Sequence, residues 1–262
     1  MSDVAASPFG RQLKSWRRVR RMSQLDLGLM AEVSPRHVCF VENGRARPSR
    51  AVVMRLAESL ELPLRDRNAL LLAAGFAPAY SEGELSDAAL APVQRAIGYV
   101  LDNHEPFPAF VIDRLWNVVM ANRAASMMFP GVSEPGKTVN AMRMLFEPGP
   151  LRAMVENWDE LARATLLRLR REAARAGADP ELNELIEEAA AHVEGGSQLE
   201  ESEFSYGPMM PTRIRMGERV LATISTVASF GTALDVTVNE LRIELVFPAD
   251  QETEGFFRDL AV

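Results

Sequence analysis

Two helix starts and two helix stops lie within the single stretch Ser23 to Arg45, and that spacing constrains the chain more than any other feature. Ser23 is placed to cap a helix carrying Gln24, Leu25, Leu27 and Ala31. Glu32-Val33-Ser34 leaves only a tight turn before Ser34-Pro35 opens the next helix, a cap residue followed by proline at the first helical position. Asn43-Gly44 then stops it. Leu27, Ala31, Val33, Val38 and Val41 can lock the pair together, and the second helix presents Pro35, Arg36, His37 and Phe40 outward. The flanks continue the pattern. Phe9–Arg20 has Phe9, Leu13, Trp16 and Val19 at helical spacing, Pro48-Ser49 starts a helix bearing Val52, Val53, Leu56, Ala57 and Leu60, and Arg65–Ala74 stops at Gly75. Residues 1–78 are therefore predicted to form an all-α domain of five helices.

Net charge is −7, which looks wrong for a chain that meets nucleic acid, but the distribution resolves it. Residues 1–80 carry 13 Lys+Arg against 7 Asp+Glu, and the remainder carries 16 against 29. A basic head on an acidic body is the asymmetry expected when one domain meets phosphate and the other does not. Side chains at the start of the outward-facing helix are the ones that reach base edges in a major groove. No run of eighteen apolar residues appears, and Met1 to Gly10 lacks an apolar signal-peptide core, so no membrane partner is expected. The single cysteine, Cys39, excludes an internal disulfide and points to a reducing cytoplasm. His37, His104 and His192 match no metal-ligand spacing. There is no Ser/His/Asp arrangement, no paired carboxylates in a recognisable context and no glycine-rich phosphate loop. Neither an enzyme nor a cofactor is expected.

Gln24 and the ending Glu42-Asn43-Gly44-Arg45 make this stretch resemble the helix-turn-helix heads of phage repressors and xenobiotic-response-element type regulators. The resemblance implies that Gln24 holds a phosphate of double-stranded DNA and that Asn43, Arg47 and Arg50 hold others. It implies that Arg36 and His37 read bases, with Phe40 touching the groove or a thymine methyl. Ser34 and Arg45 complete the set of expected DNA-binding residues. It also places Arg17 opposite Glu42, an ion pair that would fix the third helix. Arg18 to Arg21 are expected near the DNA backbone, where neutralised phosphates add salt-sensitive affinity.

Residues 76–92 are rich in Pro, Ser, Gly and acidic side chains and read as a linker, followed by a helix at Ala91–Asn103. Residues 79–105 are thus a connector and helix. From 106 to 255 the pattern is mixed. Strands are predicted at Phe107–Asp113 and Leu115–Ala121, helices at Asn122–Phe129, Pro150–Ala176 and Pro180–Glu194, and strands at Thr212–Met216, Arg219–Phe230 and Glu240–Phe247. This order suggests an α+β domain with an antiparallel sheet. The glutamate runs Glu181–Glu194 and Glu200–Glu203 read as solvated surface.

The segments Phe107 to Asp113, Trp116-Asn117-Val118, Ala121-Asn122, Asn157-Trp158, Phe230-Gly231-Thr232, Asp235-Val236-Thr237 and Phe247 to Asp250 resemble the ligand-binding domain of MmyB-like transcription regulators, a PAS-like fold. The resemblance implies an internal pocket for a small apolar ligand, such as a long-chain fatty acid or a comparable amphiphile. The expected lining is Phe110, Ile112, Trp116, Val118, Met120, Met127, Met128, Phe129, Met142, Leu145, Phe146, Trp158, Ile224 and Phe230. Asn122, Arg123, Arg143 and Asn157 are the expected partners of a carboxylate head. A ligand-responsive homodimer is the leading expectation. The alternative is a C-terminal domain that only dimerises and binds no ligand. A filled core would favour that alternative and an apolar cavity the first.

Overall fold

The computed structural model describes residues 7–129, 131–132, 134, 136–176, 179–199 and 209–260. The run Glu200–Glu203, expected to be solvated, lies outside the described residues. Two compact units form, the first built mainly on residues up to Gly83 and the second on most of the chain from Glu84 onward.

The first unit holds helices α1 (Pro8–Val19), α2 (Gln24–Met30), α3 (Pro35–Glu42), α4 (Arg50–Ser59) and α5 (Leu64–Ala73). Four of the five starts are set by a serine side chain accepting a backbone N–H. Ser7 accepts from Gly10, Ser23 from Asp26, Ser34 from His37 and Ser49 from Val52. Each such cap contributes about 1 kcal/mol. At α2 the cap is reciprocal, because the Asp26 carboxylate accepts the Ser23 N–H in return, and these bonds hold Asp26 below the usual carboxylate range.

Phe9, Leu13, Trp16, Leu27, Ala31, Val33, Val38, Val41, Leu56 and Leu70 meet in one core. Val19, expected on the same stripe, is exposed at the last turn of α1. Two glycines let the helices approach. A Cβ on Gly10 would lie 2.3 Å from the Glu42 carbonyl oxygen, and one on Gly28 would lie 2.8 Å from that of Val33. The turn between α2 and α3 places Glu32 at φ +52°, a left-handed conformation that glycine adopts more readily.

The second unit contains α6 (Ala91–His104), β1 (Ala109–Ile112), β2 (Asn117–Ala121), α7 (Arg123–Met128), β3 (Val139–Asn140), α8 (Ala141–Phe146), α9 (Pro150–Met154), α10 (Trp158–Ala176), α11 (Pro180–Ala191), β4 (Thr212–Met216), β5 (Arg219–Ser229), α12 (Val236–Glu240), β6 (Arg242–Pro248) and α13 (Gln251–Leu260). All six strands join one antiparallel sheet in the order β3-β2-β1-β6-β5-β4, the PAS-like α+β arrangement. Side chains alternate across it. On one face Ile112 packs with Trp116 and with Phe146, Leu166, Leu169 and Leu185 of α8, α10 and α11. On the other, Ala109 and Val111 pack with Ile97 and Leu101 of α6 and with Ile243.

Three features differ from the sequence reading. The helix expected over Pro150–Ala176 is broken, because Val155 leaves the helix to bridge Ile214 at the edge of the sheet. Asn157 holds the break by donating to the Pro211 carbonyl and accepting the Arg213 N–H. The short elements β3 and α8 and the terminal helix α13 were not predicted. Finally, the register slips between Val111 and Ile112, so that Val111 faces Met120 while Ile112 faces Val118. Such a bulge puts Val118 and Met120, two residues apart, on opposite faces.

The tight turn joining β1 to β2 is built by one carboxylate. Asp113 accepts the N–H groups of Leu115 and Asn117 and the Asn117 amide, which holds Trp116 at φ +66°.

Candidate functional site

In the first unit, α3 divides cleanly. Val38, Val41 and Glu42 are buried, whereas Arg36 is exposed and His37 and Phe40 are partly so. Arg36 lies over the Phe40 ring, its guanidinium carbon 5.2 Å from the centroid. Asn43, Arg45, Arg47 and Arg50 are all exposed beyond the end of α3. The Asn43 amide folds back and donates to the Cys39 carbonyl. Ser34 is occupied as the cap of α3. Of the arginines expected beside a DNA backbone, Arg20 has a structural bond, since its Nε donates to the Leu60 carbonyl.

Glu42 is the anchor of α3. Its carboxylate is 1% exposed and accepts from Arg17 Nε at 2.7 Å, Arg17 Nη2 at 3.1 Å and Gln24 Nε2 at 2.6 Å. The Arg17–Glu42 pair is thus formed as expected. The hydrogen bonds to Glu42 hold the Arg17 guanidinium above its ordinary value against the opposing effect of burial. Gln24, expected at a phosphate, gives one amide N–H to this pair. A primary amide carries two, so one remains.

In the second unit a cavity of about 170 Å³ opens between the sheet and helices α7 to α10. Phe110, Trp116, Met128, Phe129, Met142 and Leu145 line it, as expected from the sequence. The other expected residues lie elsewhere. Ile112, Phe146 and Val118 pack in the adjoining core, and Trp158 donates its N–H to the Leu145 carbonyl. Met120 and Phe230 pack on the opposite face of the sheet. Ile224 is also out of phase, since it pairs with Phe247, while its neighbours Thr223 and Ser225 reach the cavity. Met127 is half exposed.

The expected head-group partners do not line the cavity. Arg143 is an exposed partner of Glu188, and Arg123 donates to the Leu260 carbonyl. Asn157 bridges to β4. Asn122 caps α7, accepting from Ala109 and Ala125 and donating to the Phe107 carbonyl. Each spends its polar atoms on backbone groups, or on the Glu188 carboxylate, that only the fold brings beside it.

The polar wall that the cavity does have was missed. Thr165 and Arg168 of α10 share a stripe with Leu161, and Glu244 of β6 shares its face with Val246. A helical or two-residue phase applied to polar side chains, not only apolar ones, would have found them. Arg168 donates to Glu172 at 3.0 Å and to Glu244 at 2.8 Å, and Arg242 donates to Glu172 at 2.5 Å. Both guanidinium groups lie over the Trp116 ring, at 4.8 and 5.8 Å. Burial pushes the Arg168 guanidinium down, but the carboxylates of Glu244 and Glu172 outweigh it and hold it above its ordinary value.

Residues 93–260 match the family described as the MmyB-like transcription regulator ligand binding domain. The chain is also 35% identical over 77 residues to an uncharacterized HTH-type transcriptional regulator, RghRB, of Bacillus subtilis (strain 168). That match covers 29% of this chain and 53% of the relative, so the chain spans about half the length of the curated relative it matches. Among the described residues no helix is long and apolar enough to cross a membrane. With its PAS-like sheet, the cavity against that sheet and the family match over most of its length, the chain belongs to the MmyB-like transcription regulators.

Proposed function

We propose that this chain is a cytoplasmic transcription regulator that binds double-stranded DNA as a homodimer and responds to a small apolar ligand. The observation that carries the DNA reading is the division of α3. One face is locked down by Glu42, and the other presents Arg36, His37 and Phe40 with Arg45, Arg47 and Arg50 beyond it. In this reading Arg36 and His37 meet base edges, and the remaining N–H of Gln24 joins Asn43, Arg47 and Arg50 on phosphates. Selection from a random DNA pool defines the operator, and two substitutions then test the assignment. Arg36→Ala relaxes specificity at one position at a cost of about 1–3 kcal/mol, whereas Arg47→Ala weakens all sequences alike and lowers the salt slope by about one. Unchanged affinity in both variants would refute it.

The cavity supports ligand sensing over a domain that only dimerises. Its volume, about 170 Å³, is close to that of an apolar cavity of about 150 Å³ that binds benzene. The space as it stands therefore suits the chain of a compact amphiphile. Movement of Met128, Met142 and Met144 in the wall would admit a longer chain of the fatty-acid type. Ligand binding would bias the spacing of two DNA-binding heads and so the affinity for paired half-sites. Native mass spectrometry of protein purified without detergent tests this. If no small molecule co-purifies, and no added amphiphile raises thermal stability, the ligand reading fails.

A further inference from the structure

Helix α6 has one face in the core and one open to solvent. Ile97 and Leu101 pack with Ala109, Val111 and Ile243 of the sheet. A helix repeats every 3.6 residues, so the opposite face is Pro92, Arg95, Ala96, Tyr99, Asp102 and Asn103, and all six are exposed. Tyr99 lies at the centre of that face and is 68% exposed. An aromatic ring this open gains more than any of its neighbours by being covered. The two charges of the face, Arg95 and Asp102, stand seven residues apart. That is about 10 Å of rise, too far for them to pair with each other. Among the described residues neither side chain has a partner.

Those charges select what can cover the face. Residues seven apart lie on the same flank of a helix. Two identical helices laid antiparallel bring equal flanks together with the chain order reversed. A second α6 so placed sets Arg95 against the partner's Asp102, and Asp102 against the partner's Arg95. The same register sets Tyr99 beside the partner's Gly98. A Cβ on Gly98 would meet nothing within 4 Å, so the space over it is open. A parallel pair would instead bring each charge level with its own copy.

We infer that the exposed face of α6 is the surface through which this chain dimerises, its partner being a second copy lying antiparallel. This rests on the reading of the chain as a homodimer and names the surface that reading requires. A two-fold interface uses one patch on both subunits, and the Arg95–Asp102 spacing is self-complementary in that sense. The helix has 14 residues, so it is about 21 Å long. A single helix pair makes a small interface, and the free dimer is expected to dissociate on the order of 10 µM. Paired half-sites on one DNA would hold it together by raising the effective concentration.

Sedimentation velocity of the full chain, from about 1 to about 200 µM, reads the dissociation constant. Arg95→Glu or Asp102→Arg turns two attractive contacts into two repulsive ones, and each is expected to weaken the dimer at least about tenfold. The double variant Arg95→Glu/Asp102→Arg reverses every contact at once and should regain native affinity. An equal mixture of the two single variants should also form mixed dimers. Tyr99→Ala changes no charge and should weaken the dimer by about tenfold as well, and it decides the face if a reversal fails to fold. Native dimerisation in the folded single variants, or in Tyr99→Ala, would overturn the inference and leave the homodimer reading intact. A double variant as weak as the singles would overturn the antiparallel register. A native chain that stays monomeric at every concentration, and on DNA bearing paired half-sites, would overturn both readings.

Discussion

Removing Arg17 should loosen the DNA-facing helix from beneath, without touching its outer face. Glu42 is buried to 1% exposure and its carboxylate accepts three N–H groups, two of them from Arg17. In Arg17→Met that carboxylate keeps only the Gln24 amide, and the Met22 carbonyl loses the Arg17 Nη1 donor as well. Breaking one side of a buried ion pair costs about 3–5 kcal/mol. Arg17 itself is 12% exposed, which lets some water reach the orphaned group and places the expected cost near the lower end, about 3 kcal/mol.

For a unit of this size that corresponds to a fall of about 12–24 °C in its melting transition. The double variant Arg17→Met/Glu42→Leu removes both charges and should recover about 2 kcal/mol of the loss, since apolar replacement of a whole buried pair is often close to neutral. The assay is native-state hydrogen exchange on the full chain, following the amides of α1 and α3. The guanidinium is held above its ordinary value, so its contribution is complete at every pH below that value. The defect should therefore be the same from about pH 6 to pH 9. A loss below about 1 kcal/mol for Arg17→Met, or a double variant equal to the sum of the singles, would refute this account of how α3 is held.

Gly10→Ala should destabilise the first unit by about 2–3 kcal/mol in denaturant titration, because the new methyl would sit 2.3 Å from the Glu42 carbonyl oxygen and α1 must shift away. Asp113→Ala removes the acceptor of three N–H groups in the β1–β2 turn and should cost about 2–3 kcal/mol, with a visible change in Trp116 fluorescence. Asp26 and Asp250, the latter bonded to Thr253 at the start of α13, are both held below the ordinary carboxylate range by those cap bonds. Their stabilisation is complete above the unfolded value of about 3.9 and is lost as the pH falls through the folded values. The amide resonances of Ser23 and Thr253, whose N–H groups those carboxylates accept, should therefore hold steady down to about pH 4 and move only below it.

Local signals carried the first unit almost entirely. The helices there are short and four of the five begin at a serine cap that acts over three residues, so Ser23, Ser34 and Ser49 could be read without knowing what surrounds them. The outward set on α3 followed from the same phase, since burying Val38 and Val41 leaves Arg36, His37 and Phe40 on the other side. The strand β5 was legible because Val220, Thr223, Ile224, Thr226 and Val227 make it dense in β-branched residues, which favour strands.

The cavity was not legible in that way. Which side of a strand faces inward depends on register, and one bulge between β1 and β2 sends Met120 to the opposite face from Val118. Where α9 stops depends on Val155 finding a partner in Ile214, a residue far along the chain. Polar residues posed the same difficulty. Asn122 and Asn157 look like ligand partners until the backbone groups they bind are brought beside them, whereas Arg168 and Glu244 look like surface until α10 and β6 meet. Capping and helical phase act within a few residues and are written in the order of the chain. Strand register, charge pairing and the walls of a cavity join residues far apart in that order, so only the folded chain decides them.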